Sequence, residues 1–171
     1  MPLSKSPNTI CETLKLFVYF TIIIVIKNYL PDLLMQATKT HLKNLTYQIN
    51  GAAIEVHRYL GPGLLENVYH ECFKHELMVR GIDFLSEMHI PVQYKDIQMP
   101  TNLRCDLFVE GLIVVELKAV KQIEPVEEAK LLTYMKLLQA PKGILYNFNV
   151  VNLYHDGQKT FVNRHYEELA E

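Results

Sequence analysis

Tryptophan is absent and cysteine is scarce: Cys11, Cys72 and Cys105 are odd in number, far apart and each set in an apolar run. That pattern excludes a disulfide framework and a cysteine-built zinc site, and it fits reduced core thiols in a cytoplasmic setting. A dominant charge sign is also missing. With a formal net charge of −2, the chain has no whole-molecule field to gather nucleic acid, so any phosphate contact must come from a local cluster. The sequence holds no internal repeat, no low-complexity linker and no glycine-rich phosphate cradle. Gly61-Pro62-Gly63 precedes a helical stretch but lacks the lysine and spacing of a nucleotide loop. The longest apolar run, residues 16–26 (LFVYFTIIIVI), has 11 members between Lys15 and Lys27, where a membrane span needs roughly 20. Widening it to residues 14–30 approaches that length only by admitting Lys15, Lys27 and Asn28 near the ends. No small-x-small cleavage site follows, as a signal peptide would require. Residues 1–43 are therefore expected to be a hydrophobic extension, either an accessory segment packed on the domain or the product of a start codon set too far upstream. A membrane anchor through residues 14–30 is the less favoured alternative.

What is present is apolar content of 49%, ample for the core of one domain. Leu45, Ile49, Ala52, Val56 and Leu60 recur at spacings of three and four, which predicts a helix from Asn44. Gly61-Pro62-Gly63 breaks it, and a second helix is expected from about Leu64 to Arg80, ended by Gly81 where a left-handed residue is needed. The period then shortens. Residues 84–95 (FLSEMHIPVQYK), 103–109 (LRCDLFV) and 112–120 (LIVVELKAV) read as strands. A helix from Pro125 stops before Pro141, a strand covers 143–150, and a closing hairpin turns at His155-Asp156-Gly157-Gln158. This order predicts one α/β domain over residues 44–166 with a tail at 167–171.

Two stretches carry chemistry. In GLLENVY, residues 63–69, Glu66 and Tyr69 are three apart and are expected to look out from one helix face; the plainer account of Glu66 is an acid favoured by the helix macrodipole. In RCDLFVEGLIVVELK, residues 104–118, strand alternation puts Arg104 and Asp106 on one face and Glu116 and Lys118 on one face. An odd-length connection around Glu110-Gly111-Leu112 would pair Val109 with Ile113, hence Asp106 with Glu116 and Arg104 with Lys118. A two-residue turn would separate the acids. The first register is expected because two acids and two cations on one patch can neutralise each other or a metal. Two facing carboxylates at ~4 Å repel by about 4 kcal/mol at an intermediate dielectric, which a divalent ion relieves. Magnesium suits such a pair, since it takes one or two carboxylates and fills its shell with water and substrate phosphate. Lys118 would reach the same patch to hold a phosphate oxygen or ease deprotonation of water. A salt-bridged strand pair without metal is the plainer reading of so short a motif. Against it, the strand holding Glu116 and Lys118 is apolar enough to be central, and central strands rarely carry ions without a task. Lys121, Lys130, Lys136 and Lys142 are candidates to line one side of a cleft.

Asp106 followed by Glu116-Leu117-Lys118, between an upstream acidic helix and a downstream helix, resembles the PD-(D/E)XK nuclease superfamily. The ordered set GLLENVY, RCDLFVE, IVVELKAV, LLTYMKL and NFNV, over residues 45–163, looks more narrowly like the GxxExxY protein family, with Gly63, Glu66 and Tyr69 as the namesake residues. The resemblance implies a restriction-endonuclease-like core, a mixed β-sheet flanked by helices. It implies Mg²⁺-dependent hydrolysis of phosphodiester bonds in nucleic acid, DNA before RNA, with Mn²⁺ as a substitute ion. Asp106 and Glu116 would be metal ligands, Glu66 the helix carboxylate that completes the metal site or its surroundings, and Lys118 the lysine that orients water or offsets charge. The following helix resembles a Gln-x-x-x-Tyr element at Lys130 and Tyr134, with lysine where glutamine is expected; an ammonium meets phosphate as a point charge but lacks the amide's paired donor and acceptor. Lys130, Tyr134, Arg104 and Tyr69 are the expected substrate contacts. The alternative is a non-catalytic nucleic-acid-binding or assembly module that keeps the fold. A homodimer would be in keeping with a small nuclease.

Overall fold

The computed structural model describes residues 37–99 and 103–171. Cys11 and the hydrophobic segment 14–30 lie outside them, as does nearly all of the expected 1–43 extension. Among the described residues no helix is long and apolar enough to cross a membrane.

Helix α1 (Lys39–Leu60) starts earlier than the apolar spacing indicates, because Thr38 caps it: the threonine hydroxyl accepts the His41 amide at 3.0 Å. Leu42, Leu45, Ile49, Ala52, Ala53 and Val56 form its buried stripe. Gly61 and Gly63, at φ of 67° and 100°, turn the chain into α2 (Glu66–Val79). Tyr69 holds that turn shut. Its hydroxyl donates to the Gly61 carbonyl at 2.7 Å and accepts the Leu64 amide at 3.0 Å.

Strands β1 (Phe84–His89), β2 (Val92–Tyr94), β3 (Ile97–Met99), β4 (Arg104–Val109) and β5 (Ile113–Lys118) follow. Then come α3 (Pro125–Leu137), β6 (Lys142–Asn147), the short α4 (Leu153–Asp156), β7 (Gln158–Val162) and the short α5 (Arg164–Glu167). The main sheet has the order β1-β4-β5-β6-β7, with only β5 and β6 parallel. Helix α3 is the crossover that a parallel pair needs. The sheet is therefore mixed and flanked by helices, the α/β architecture expected.

Two elements depart from the sequence reading. The stretch 84–95 breaks at Ile90-Pro91 because proline cannot donate to a ladder, and its second half pairs with β3 in a separate two-stranded sheet. The first half of the expected turn at 155–158 is instead the end of α4, which holds His155 and Asp156 and whose start is capped by the Asn152 side chain accepting the His155 amide at 3.2 Å.

The core lies on both sides of the sheet. On one, Tyr69 of α2 stacks on Phe148 with centroids 4.6 Å apart, and Phe73 meets Tyr146 edge-on at 5.8 Å. The Tyr146 hydroxyl donates to Asn50 of α1, so its burial is satisfied. On the other, α3 presses so close to β6 that a Cβ on Gly143 would lie 2.5 Å from the Met135 sulfur. A side chain there would have to push the Met135 thioether and Leu131 aside.

Candidate active site

Strands β4 and β5 pair as Val109 with Ile113, Phe108 with Val114 and Leu107 with Val115. Glu110 and Gly111, at φ of 47° and 67°, make the connecting turn, and the Leu112 amide donates to the Val109 carbonyl at 2.9 Å. The odd-length connection thus gives the expected pairing of Val109 with Ile113, but the ladder ends at Leu107 and Val115, so the expected pairing of Arg104 with Lys118 is not made. Beyond Leu107 and Val115 the same register sets Asp106 opposite Glu116, and there the backbone ladder gives way to side chains. The Asp106 amide donates to Glu116 Oε1 at 3.2 Å, and the Leu117 amide donates to Asp106 Oδ2 at 2.8 Å. The strands fork, and two carboxylates fill the opening.

Glu116 is only 1% exposed. Burial, and after it the neighbouring Asp106 charge, push its carboxyl up to about 7, although Lys130 and Lys118 pull the other way. Lys130 reaches over from α3 and sets Nζ 2.7 Å from Glu116 Oε2, with the same ammonium 5.2 Å from the centre of the Tyr134 ring. Burial works against that ammonium, but the hydrogen bond and charge of Glu116 outweigh it and hold the Lys130 pKa above its ordinary value. The Cys105 thiol beside the pair is pushed up to about 12, first by burial and then by the two acids, which leaves it inert.

Lys118 points along another direction. Its Nζ donates to the Leu117 carbonyl at 3.1 Å and lies 3.6 Å from Glu127 and 3.9 Å from Glu66. Glu66, at the first turn of α2, thereby reaches the site through Lys118. One turn on, His70 Nε2 sits 3.4 Å from the Asp106 carbonyl, at the long limit of a hydrogen bond.

The other sequence candidates separate into rim and core. Arg104 stands at the start of β4, exposed and paired with Glu87 at 2.9 Å. Tyr69 is fully buried, which corrects the expectation that it looks out beside Glu66. Three residues apart on a helix subtend about 60° when α-helical residues advance about 100° each, so one can meet the aromatic core while the other meets solvent. Tyr134, 3% exposed, is likewise a support beneath Lys130 and offers little surface to a substrate. Lys142 is corrected too: it pairs with Ile113 at the far end of β6, whereas Lys118 pairs with Asn147. Its ammonium lies 5.8 Å from the Tyr166 ring centre, away from the acids. Sequence reasoning missed Glu127 as a partner of Lys118 and Lys130 as a partner of Glu116. Glu127 and Lys130 are three apart on α3, but that spacing carries no sign that α3 folds over the acid pair and Lys118.

Among the described residues no group of three or more His, Cys, Asp or Glu side chains is arranged to hold a metal. The acid pair Asp106 and Glu116 presents oxygen atoms only, and Glu66 meets Lys118 at 3.9 Å. Such a pair fits a hard divalent ion that completes its shell with water and phosphate, and it does not fit a closed structural zinc site.

A mixed sheet whose central strands fork around two carboxylates, with a lysine two residues beyond the second, defines a restriction-endonuclease-like protein. A family model described as the PD-(D/E)XK nuclease superfamily matches residues 43–161. The chain belongs to that superfamily. No curated protein and no solved structure matches it.

Proposed function

We propose that the protein is a divalent-metal-dependent nuclease that hydrolyses phosphodiester bonds in DNA, with Asp106 and Glu116 as ligands of Mg²⁺ or Mn²⁺. The observation that carries this reading is the fork: a buried acid and a second carboxylate meet where the sheet could have continued its ladder. Keeping two acids there is costly without a cationic task. When bound, a divalent ion would supply Lewis acidity, offsetting phosphate charge and easing deprotonation of water. The chain's own residues do the rest. The Leu117 and Asp106 amides fix one oxygen of each acid, which pre-orients both carboxylates. Lys118, held between Glu66 and Glu127, offers its ammonium to a phosphate oxygen or to the attacking water. Arg104 stands at the rim for the nucleic acid backbone.

Within the superfamily we assign the chain to the GxxExxY family, and the geometry supplies a physical reason for those three residues. Gly63 provides the positive φ of the turn, Tyr69 staples that turn through its hydroxyl, and Glu66 is left facing Lys118. A second reading, a non-catalytic nucleic-acid-binding module, is favoured by one feature: Lys130 already neutralises Glu116 without any ion. Cleavage of plasmid and oligonucleotide DNA in Mg²⁺ or Mn²⁺ separates the two. Wild type should cleave, and Glu116→Ala and Lys118→Ala should each cut the rate about 100-fold or more. A wild type that cuts nothing, or variants that cut as well as wild type, would overturn the enzyme reading.

A further inference from the structure

The lysine that stands where a glutamine is expected is also the cation closest to Glu116. Lys130 Nζ lies 2.7 Å from Glu116 Oε2, while Glu116 Oε1 is taken by the Asp106 amide. Lys118 acts on Glu116 through its charge but not by direct contact, since its ammonium is directed to the Leu117 carbonyl, Glu127 and Glu66. An incoming divalent ion must approach the carboxylate oxygens to roughly 2.1 Å. It would meet an ammonium already seated on one of them, and two cations that close repel strongly in a poorly solvated cleft. Lys130 has somewhere to go. Its side chain is 35% exposed, its stem is flexible, and the face of Tyr134 lies 5.2 Å from its Nζ.

We infer that Lys130 is the resident counter-cation of the site, and that a divalent ion loads by displacing its ammonium from Glu116. This rests on the reading of Asp106 and Glu116 as metal ligands. The lysine weakens cation binding in the absence of substrate, and once displaced it remains at the cleft as a free positive charge for a phosphodiester. Glutamine at this position has no charge and would not compete.

The test is Mn²⁺ binding to the full chain without nucleic acid, followed by the electron paramagnetic resonance signal of free Mn²⁺. Lys130→Gln should bind about tenfold tighter than wild type, Lys130→Arg should bind as weakly as wild type, and Glu116→Gln should lose the site. If Lys130→Gln binds no tighter than wild type while Glu116→Gln still loses binding, the displacement inference falls and the acid-pair reading survives. If Glu116→Gln binds like wild type, or if neither wild type nor Lys130→Gln binds, the acid-pair reading falls and takes the inference with it. Thermal melting checks that each variant is folded. Should Lys130→Gln melt below the assay temperature, Lys130→Met, which keeps the stem and removes only the charge, replaces it under the same criteria.

Discussion

Glu116 concentrates the physical conflict of this molecule, because its carboxylate is buried beside another acid. Burial and the Asp106 charge raise its pKa from the ordinary 4.5 to about 7. An acid whose folded value exceeds its unfolded value binds the proton more tightly in the native state. Its contribution therefore favours folding fully below the unfolded pKa and is lost as pH rises through about 7. Thermal melts of chelator-treated protein should show this as a midpoint that declines between about pH 4.5 and 7, and Glu116→Gln should flatten that part of the profile. Superimposable profiles would remove Glu116 as the source. The placement of this acid was legible in the sequence, since strand alternation and the length of the Glu110-Gly111-Leu112 connection together set Asp106 opposite Glu116. Lys130 on Glu116 was not, because the two meet only after α3 folds back over the sheet. Nor was the burial of Tyr69, which depends on Phe148 arriving from β6 to stack on it.

The helix α3 is positioned by a missing side chain. Gly143 on β6 lies directly under Met135 and Leu131, with a built Cβ at 2.5 Å from the first and 3.0 Å from the second. Gly143→Ala should therefore overpack the interface and cost about 1–3 kcal/mol of stability, seen as a lowered midpoint in denaturant. Met135→Ala, itself costly because Met135 is fully buried, should make the added Gly143→Ala change cost less than it does in wild type, a coupling that a double-mutant cycle would read directly. An unchanged midpoint for Gly143→Ala alone would mean that the Met135 and Leu131 side chains give way without cost. Because α3 carries Lys130 to Glu116, this packing also sets the site's cation. Long elements with a clear period were legible, as Leu45, Ile49, Ala52 and Val56 are all buried on α1. The β2–β3 hairpin was not, since its turn is Lys95-Asp96 in place of a glycine pair, with Lys95 forced to φ of 53°.

At the scale of the whole fold, the described residues close on themselves through their two ends. Thr38 forms a parallel bridge with Ala170, and the Lys39 amide donates to the Ala170 carbonyl at 2.8 Å. Leu169 is buried beside them. The sequence placed the domain boundary at 166 and a tail at 167–171, because so short a polar stretch carries no periodic signal; its role depends on a partner more than 130 residues away, as the 132-residue separation of Lys39 and Glu171 illustrates. This closure fixes the first turn of α1, whose amides have no partners within the helix. Removing residues 169–171 should expose the Leu169 site, worth about 1.5–3 kcal/mol, and orphan the Lys39 amide, worth about 1 kcal/mol more. Removing Glu171 alone breaks only its exposed ion pair with Lys39 and should move the midpoint little. The two truncations are best compared by thermal melting together with amide exchange at Lys39. The longer one should lower the midpoint by several degrees and speed exchange at α1's start, while the shorter one leaves both near wild type. Equal midpoints for all three proteins would mean that residues 169–171 are a loose tail after all.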